Sequence, residues 1–188
     1  MKFSKVEIKD LVKAWIVISV VCVIAFGNLK HDFFSSLLKF AITVGFAFLL
    51  HELGHKFVAQ HYHYKAEFRA NNTMLFLAVM LSFTGIIFAA PGAVMISGHI
   101  TRGRFGKIAA AGPLVNIILS IIFLPLAYFF KHDLLIIGAQ INAFIALFNM
   151  LPFGMFDGKK IIRWSKPIFT VMVIASFVLL IGSAILRI

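Results

Sequence analysis

The amino-acid sequence predicts an all-α polytopic membrane protein with five crossing helices and a re-entrant, partly β-like segment. Six crossing helices are the alternative. Three observations predict this class. Hydrophobic residues make up 61% of the 188 and charged residues 13%, against about 45–50% and about 25% in soluble domains. Six apolar runs reach or approach the roughly 20 helical residues that a bilayer core requires. The basic residues sit in short groups between those runs, as they do at membrane margins. The net charge of +11 therefore reads as topology, and no nucleic-acid partner is expected.

The first run, 11–27, follows Lys2, Lys5 and Lys9 and includes Lys13. With the small-x-small triplet Ala25-Phe26-Gly27 it has some marks of a signal peptide. Charge continuing to Lys13, with no soluble stretch to export, favours a retained anchor. The second run, 37–60, carries HELGH at 51–55. The third, 73–96, is long enough to cross but contains Gly85, Pro91 and Gly92. Its AAPGAVMI stretch suits a strand or a broken element better than the middle of a helix. The runs 108–130, 134–151 and 167–186 follow, separated by KHD and by PFGMFDGKKIIRWSK. With no repeat, linker or low-complexity tract, residues 1–188 are expected to form a single domain. Cys22 is the one cysteine, which excludes an internal disulfide and a Cys-rich zinc site.

Charge decides how the third run is placed. If all six runs cross, nine basic residues fall on each side and the positive-inside rule is silent. If 62–97 instead dips in and returns, Lys2, Lys5, Lys9, Lys13, Lys56, Lys65, Arg69, Arg102, Arg104, Lys107, Lys159, Lys160, Arg163 and Lys166 share the inside. Only Lys30, Lys39, Lys131 and Arg187 remain outside. That asymmetry marks a real topology. A non-helical segment at membrane depth must line a cavity or be buried in protein.

His51 and His55 stand four residues apart and so share one helix face. That spacing lets both imidazoles bind one Zn²⁺ while Glu52, about 100° around the helix, reaches its water. Zinc lowers the pKa of that water to about 7, and a carboxylate can take its proton. An acid near the middle of a span costs about 2.5–3.5 kcal/mol on insertion scales, so it is rarely idle. A third protein ligand is needed. Of the seven acids (Glu7, Asp10, Asp32, Glu52, Glu67, Asp133 and Asp157), Asp157 closes NMLPFGMFDG. The re-entrant topology puts it on the side of HELGH. His61 and His63 of HYHYK read as interfacial anchors, and His31, His99 and His132 as loop residues.

Together HELGH (51–55), AAAGPLVN (109–116) and NMLPFGMFDG (149–158) resemble the motifs of the site-2 protease family of intramembrane zinc metalloproteases. The resemblance spans most of the chain in the family's order. It implies His51, His55 and Asp157 as metal ligands for one catalytic Zn²⁺ and Glu52 as the catalytic carboxylate. It implies Asn149 as a residue that holds the substrate strand or the developing oxyanion. Gly112, Pro113 and Asn116 match the family's GPxxN helix beside the site. The implied activity is cleavage of transmembrane protein substrates within the lipid bilayer. The implied location is the cell membrane of a prokaryote, with the site toward the cytosol. The stretch 73–96 is longer and more apolar than the family's short β-loop, and no PDZ-like or CBS-like module is seen. An inactive, scaffold-like relative is the competing class, but it would be free to lose Glu52. A di-iron oxidase would need about eight clustered histidines against the seven present. A metal transporter would place ligands on several helices without a fixed general base.

Overall fold

A computed structural model of the chain describes residues 2–26, 32–85 and 91–186. Gly27, Lys30, His31, Arg187 and the stretch 86–90 of the predicted re-entrant segment lie outside these residues.

Helix α1 (Lys5–Phe26) opens the fold. It starts six residues before the predicted run, and Glu7 and Asp10 in its first two turns find partners elsewhere in the fold. Helices α2 (Phe33–Phe40) and α3 (Phe46–His61) continue one another through a π-helical turn, Ala41–Gly45. Such a turn leaves backbone groups off the usual ladder. The Trp15 indole of α1 donates to the Ala41 carbonyl at 3.0 Å, inside this turn.

The third apolar run is not one helix. Strand β1 (Lys65–Ala70) leads into α4 (Asn72–Ser82), capped by the Asn71 side chain, and the chain returns as β2 (Gly92–Ser97). The strands pair antiparallel with Lys65 opposite Ser97 and Ala70 opposite Gly92. The chain therefore leaves the sheet and re-enters it at the same end. The β-like character expected near Pro91 is present, while α4 is a helix that the sequence reading did not separate.

Helix α5 (Arg102–Phe130), begun by a Thr101 cap, packs on α6 (Asp133–Asn149). A turn then gives α7 (Asp157–Trp164), which the sequence reading treated as a connection. Ser165 ends α7 and caps α8 (Lys166–Ile185). Small residues let these helices approach: Ala109 and Ala110 of α5 and Ala146 of α6 share a core with Met150, Ile161 and Met172. A second core joins Leu11, Ala14 and Ile18 of α1 to Phe48 and Phe68.

Among the described residues, three helical segments are long and apolar enough to cross a membrane: Phe33–His61, Arg102–Phe130 and Lys166–Ile185. Asn72–Ser82 and Asp133–Asn149 are shorter apolar helices. At about 1.5 Å per residue, the 29 residues of α5 exceed a hydrocarbon core of about 30 Å. Large apolar side chains such as Phe34, Phe129, Val171 and Phe177 are exposed on the outside, as lipid-facing residues are. The protein is a mostly helical membrane fold.

Candidate metal centre

Helix α3 supplies three of the predicted residues. His51, Glu52 and His55 are all buried, although the turn of α3 before them, Phe46–Leu50, is wholly apolar. The i, i+4 spacing stacks the two imidazoles, with ring centroids 4.7 Å apart and Nε2 atoms 3.1 Å apart. Asp157, the first residue of α7, brings Oδ2 to 2.9 Å from His55 Nε2 and 3.4 Å from His51 Nε2. The fold thus brings together residues more than 100 positions apart in the chain. Gly158 permits this approach. A Cβ there would stand 2.2 Å from the Met150 carbonyl oxygen, so a larger residue would push α7 off the end of α6.

The other imidazole nitrogens are held from behind. His55 Nδ1 lies 2.8 Å from the Ile108 carbonyl, which can only accept, so this nitrogen carries the proton. His51 Nδ1 lies 2.6 Å from Asn116 Oδ1. The Asn116 amide is oriented in turn, because its Nδ2 donates to the Ala47 carbonyl at 3.1 Å and to Asn142 Oδ1 at 2.8 Å. Asn142 is fixed by donating to the Gly138 carbonyl. Both Nε2 atoms therefore present lone pairs.

Two imidazole lone pairs and a carboxylate that converge have no proton to share between them, and a cation satisfies all three. These ligand atoms lie within 4.8 Å of one another, and no other such group of three occurs among the described residues. The donor set, two His nitrogens and one carboxylate oxygen, is a catalytic zinc set that leaves a fourth position open. The surroundings fit an ion as well. A Cβ on Gly112 would meet His55 Nε2 at 2.4 Å and His51 Nε2 at 2.7 Å, so only glycine leaves that space free.

A cavity of about 450 Å³ opens beside this cluster. Glu52, Asn149 and Lys160 line it with Phe48, Phe105, Phe148, Phe156 and strand β2 from Gly92 to Val94. Asn149 donates within its own helix, to the Ile145 carbonyl at 3.0 Å. Lys160 Nζ donates to Asp157 Oδ1 at 2.9 Å. Sequence reasoning missed Asn142 and Lys160. The available signal for Asn142 was an amide within an apolar helix, which in membranes usually bonds across helices.

No protein-family model matches the chain, and no solved structure matches it. Among curated proteins, "Putative zinc metalloprotease MJ0611" of Methanocaldococcus jannaschii is 39% identical over 181 residues, covering 91% of each chain. The chain belongs to this zinc metalloprotease family. "Zinc metalloprotease MJ0392" of the same organism is 28% identical to this metalloprotease over 152 residues, which are 78% of the present chain. The match spans 39% of the length of that relative. Membership agrees with the site-2 protease likeness of the three motifs, and it makes zinc the metal of this metalloprotease.

Proposed function

We propose that the protein is an intramembrane zinc endopeptidase of site-2 protease type that hydrolyses peptide bonds in or near the transmembrane segments of other proteins. One observation carries this reading. The buried His51–His55–Asp157 cluster opens on a cavity lined mainly by phenylalanines and aliphatic residues, within helices that turn apolar side chains outward.

In this reading His51, His55 and Asp157 hold the ion. Zinc bound there supplies Lewis acidity toward the scissile carbonyl and makes water a nucleophile near neutral pH. Glu52, on the same helix and cavity wall, takes the proton of the attacking water. It returns that proton to the amide nitrogen as the C–N bond breaks. Asn149 stands at the cavity rim as a donor for the substrate strand or the developing oxyanion. A substrate helix must unwind locally before its carbonyls can be attacked. Strand β2, which lines the cavity, offers backbone groups to such a strand by β-addition.

The antiparallel return of β1 and β2 supports a re-entrant segment, and so five crossings with the site toward the cytosol. The apolar helices of spanning length support one intramembrane domain over residues 1–188, which we place in a cell membrane. The direct test is purified protein in detergent with a single-span membrane substrate, the products mapped by mass spectrometry. Cuts inside or at the edge of the span are expected. Cuts confined to soluble loops would reject intramembrane action. Single cysteines at 98–106, in a Cys22→Ser background, should react from the cytosolic side, and reaction from the opposite side would reject the re-entrant topology.

A further inference from the structure

Helix α7 carries Lys159, Lys160 and Arg163, followed by Lys166 at the start of α8. As a group these read as a basic membrane margin. Lys160 departs from that reading. Arg163 and Lys166 are exposed, and Lys159 reaches only the Gly154 carbonyl of its own turn, at 3.4 Å. Lys160 faces inward, with Nζ 2.9 Å from Asp157 Oδ1 and 5.7 Å from the centre of the Phe105 ring. Its backbone is anchored, since the next residue, Ile161, is fully buried. The i, i+3 spacing on one helix turn makes the contact with Asp157 a local property of α7.

The two oxygens of Asp157 are thereby assigned different tasks. Oδ2 faces both imidazole Nε2 atoms, while Oδ1 is occupied by the ammonium group. A carboxylate can bind a metal through one oxygen or both. Two-oxygen binding here would fill the position that water or substrate must enter at a catalytic zinc. We propose that Lys160 is a positioning residue that restricts Asp157 to one coordinating oxygen and so keeps the fourth metal position open. The inference rests on the zinc-protease reading and adds to it a residue that its three motifs do not assign.

The test uses the full-length protein in detergent loaded with Co²⁺ or Zn²⁺, so its readout does not depend on proteolysis. The wild-type protein should show the intense visible bands of four-coordinate Co²⁺. Lys160→Met should weaken those bands toward a five-coordinate pattern and change the rate of zinc transfer to a chelator by roughly 10–100-fold, the usual scale for losing an outer-shell partner. Lys160→Arg, which keeps a donor, should restore the wild-type spectrum, and Lys159→Met should leave it unchanged. A Lys160→Met protein with the wild-type Co²⁺ spectrum and zinc transfer rate overturns the proposal, as does a matching change in Lys159→Met. Wild-type protein that takes up neither metal overturns both this proposal and the zinc reading. A Lys160-dependent spectrum in a protein that cuts no substrate leaves the positioning role standing and rejects the protease reading alone.

Discussion

Two buried ionic clusters meet on helix α3, one residue apart in sequence, and their difference separates structure from chemistry. Lys56 follows His55 directly, yet it points away from the metal centre to a salt bridge with Glu7. Both residues are almost completely buried. Glu7 uses one oxygen for Lys56 and the other to accept from the Phe68 backbone N–H at 2.9 Å, and Lys56 also lies over the Phe3 ring. This cluster is complementary: donors meet acceptors, and α1, α3 and β1 are joined. The cluster at His51, His55 and Asp157 turns three acceptor atoms toward one point. A cluster that satisfies itself supports the fold, whereas one that converges acceptors waits for a cation.

That contrast can be broken from either side. The largest effect is expected at the proposed metal centre, where Asp157→Ala removes one of the three candidate ligands. Zinc retention should fall by more than the roughly 10–100-fold that follows loss of an outer-shell partner. Zinc-to-protein ratios after gel filtration would show it, and full retention would mean that Asp157 is not a ligand. Next comes Glu7→Gln, which leaves Lys56 buried without its charge partner. Breaking such a pair costs about 3–5 kcal/mol, measurable by thermal unfolding in detergent. The double variant Glu7→Leu/Lys56→Met should recover most of that loss, because a packed apolar pair can replace a buried ion pair. If Glu7→Gln instead stripped zinc without lowering stability, the division between the clusters would fail. The smallest effect is expected for Asn142→Leu. It deprives the Asn116 amide of one of its two acceptors, a loss of about 1–3 kcal/mol. Zinc release should quicken, and thermal unfolding should shift less than for Glu7→Gln, since Ala47 still holds Asn116.

The grouping of the proposed metal ligands was partly legible in the sequence. His51 and His55 carry a spacing that only a helix makes meaningful, and Asp157 stood out among seven acids because it closes NMLPFGMFDG, with charge topology placing it on the side of HELGH. Asn116 came from the GPxxN likeness. What stayed hidden depended on contacts between distant elements. Lys56 was counted among the inside basic residues and Glu7 among the seven acids, and nothing local says that they would meet across 49 positions. The residues of α7 span eight positions, too few for periodicity to show beside the Pro152 and Gly154 that precede them. The third apolar run was read as broken near Pro91 and Gly92, where β2 begins, but α4 within it has an apolar sequence that suits helix or strand alike. The π-turn at Ala41–Gly45 is met by the Trp15 indole from another helix, a contact that no local pattern announces.

The proposed role of Glu52, a buried carboxylate on α3, is that of the general base in zinc-dependent hydrolysis at the membrane. It is tested most directly by the cleavage rate of a single-span substrate by Glu52→Gln protein whose zinc content has been measured in the same sample. About one zinc per chain, as for a single three-ligand site, with cleavage reduced by roughly 10²–10⁴-fold, the range for losing a general base, is the predicted result. A zinc-loaded Glu52→Gln protein that cuts at the wild-type rate would contradict it.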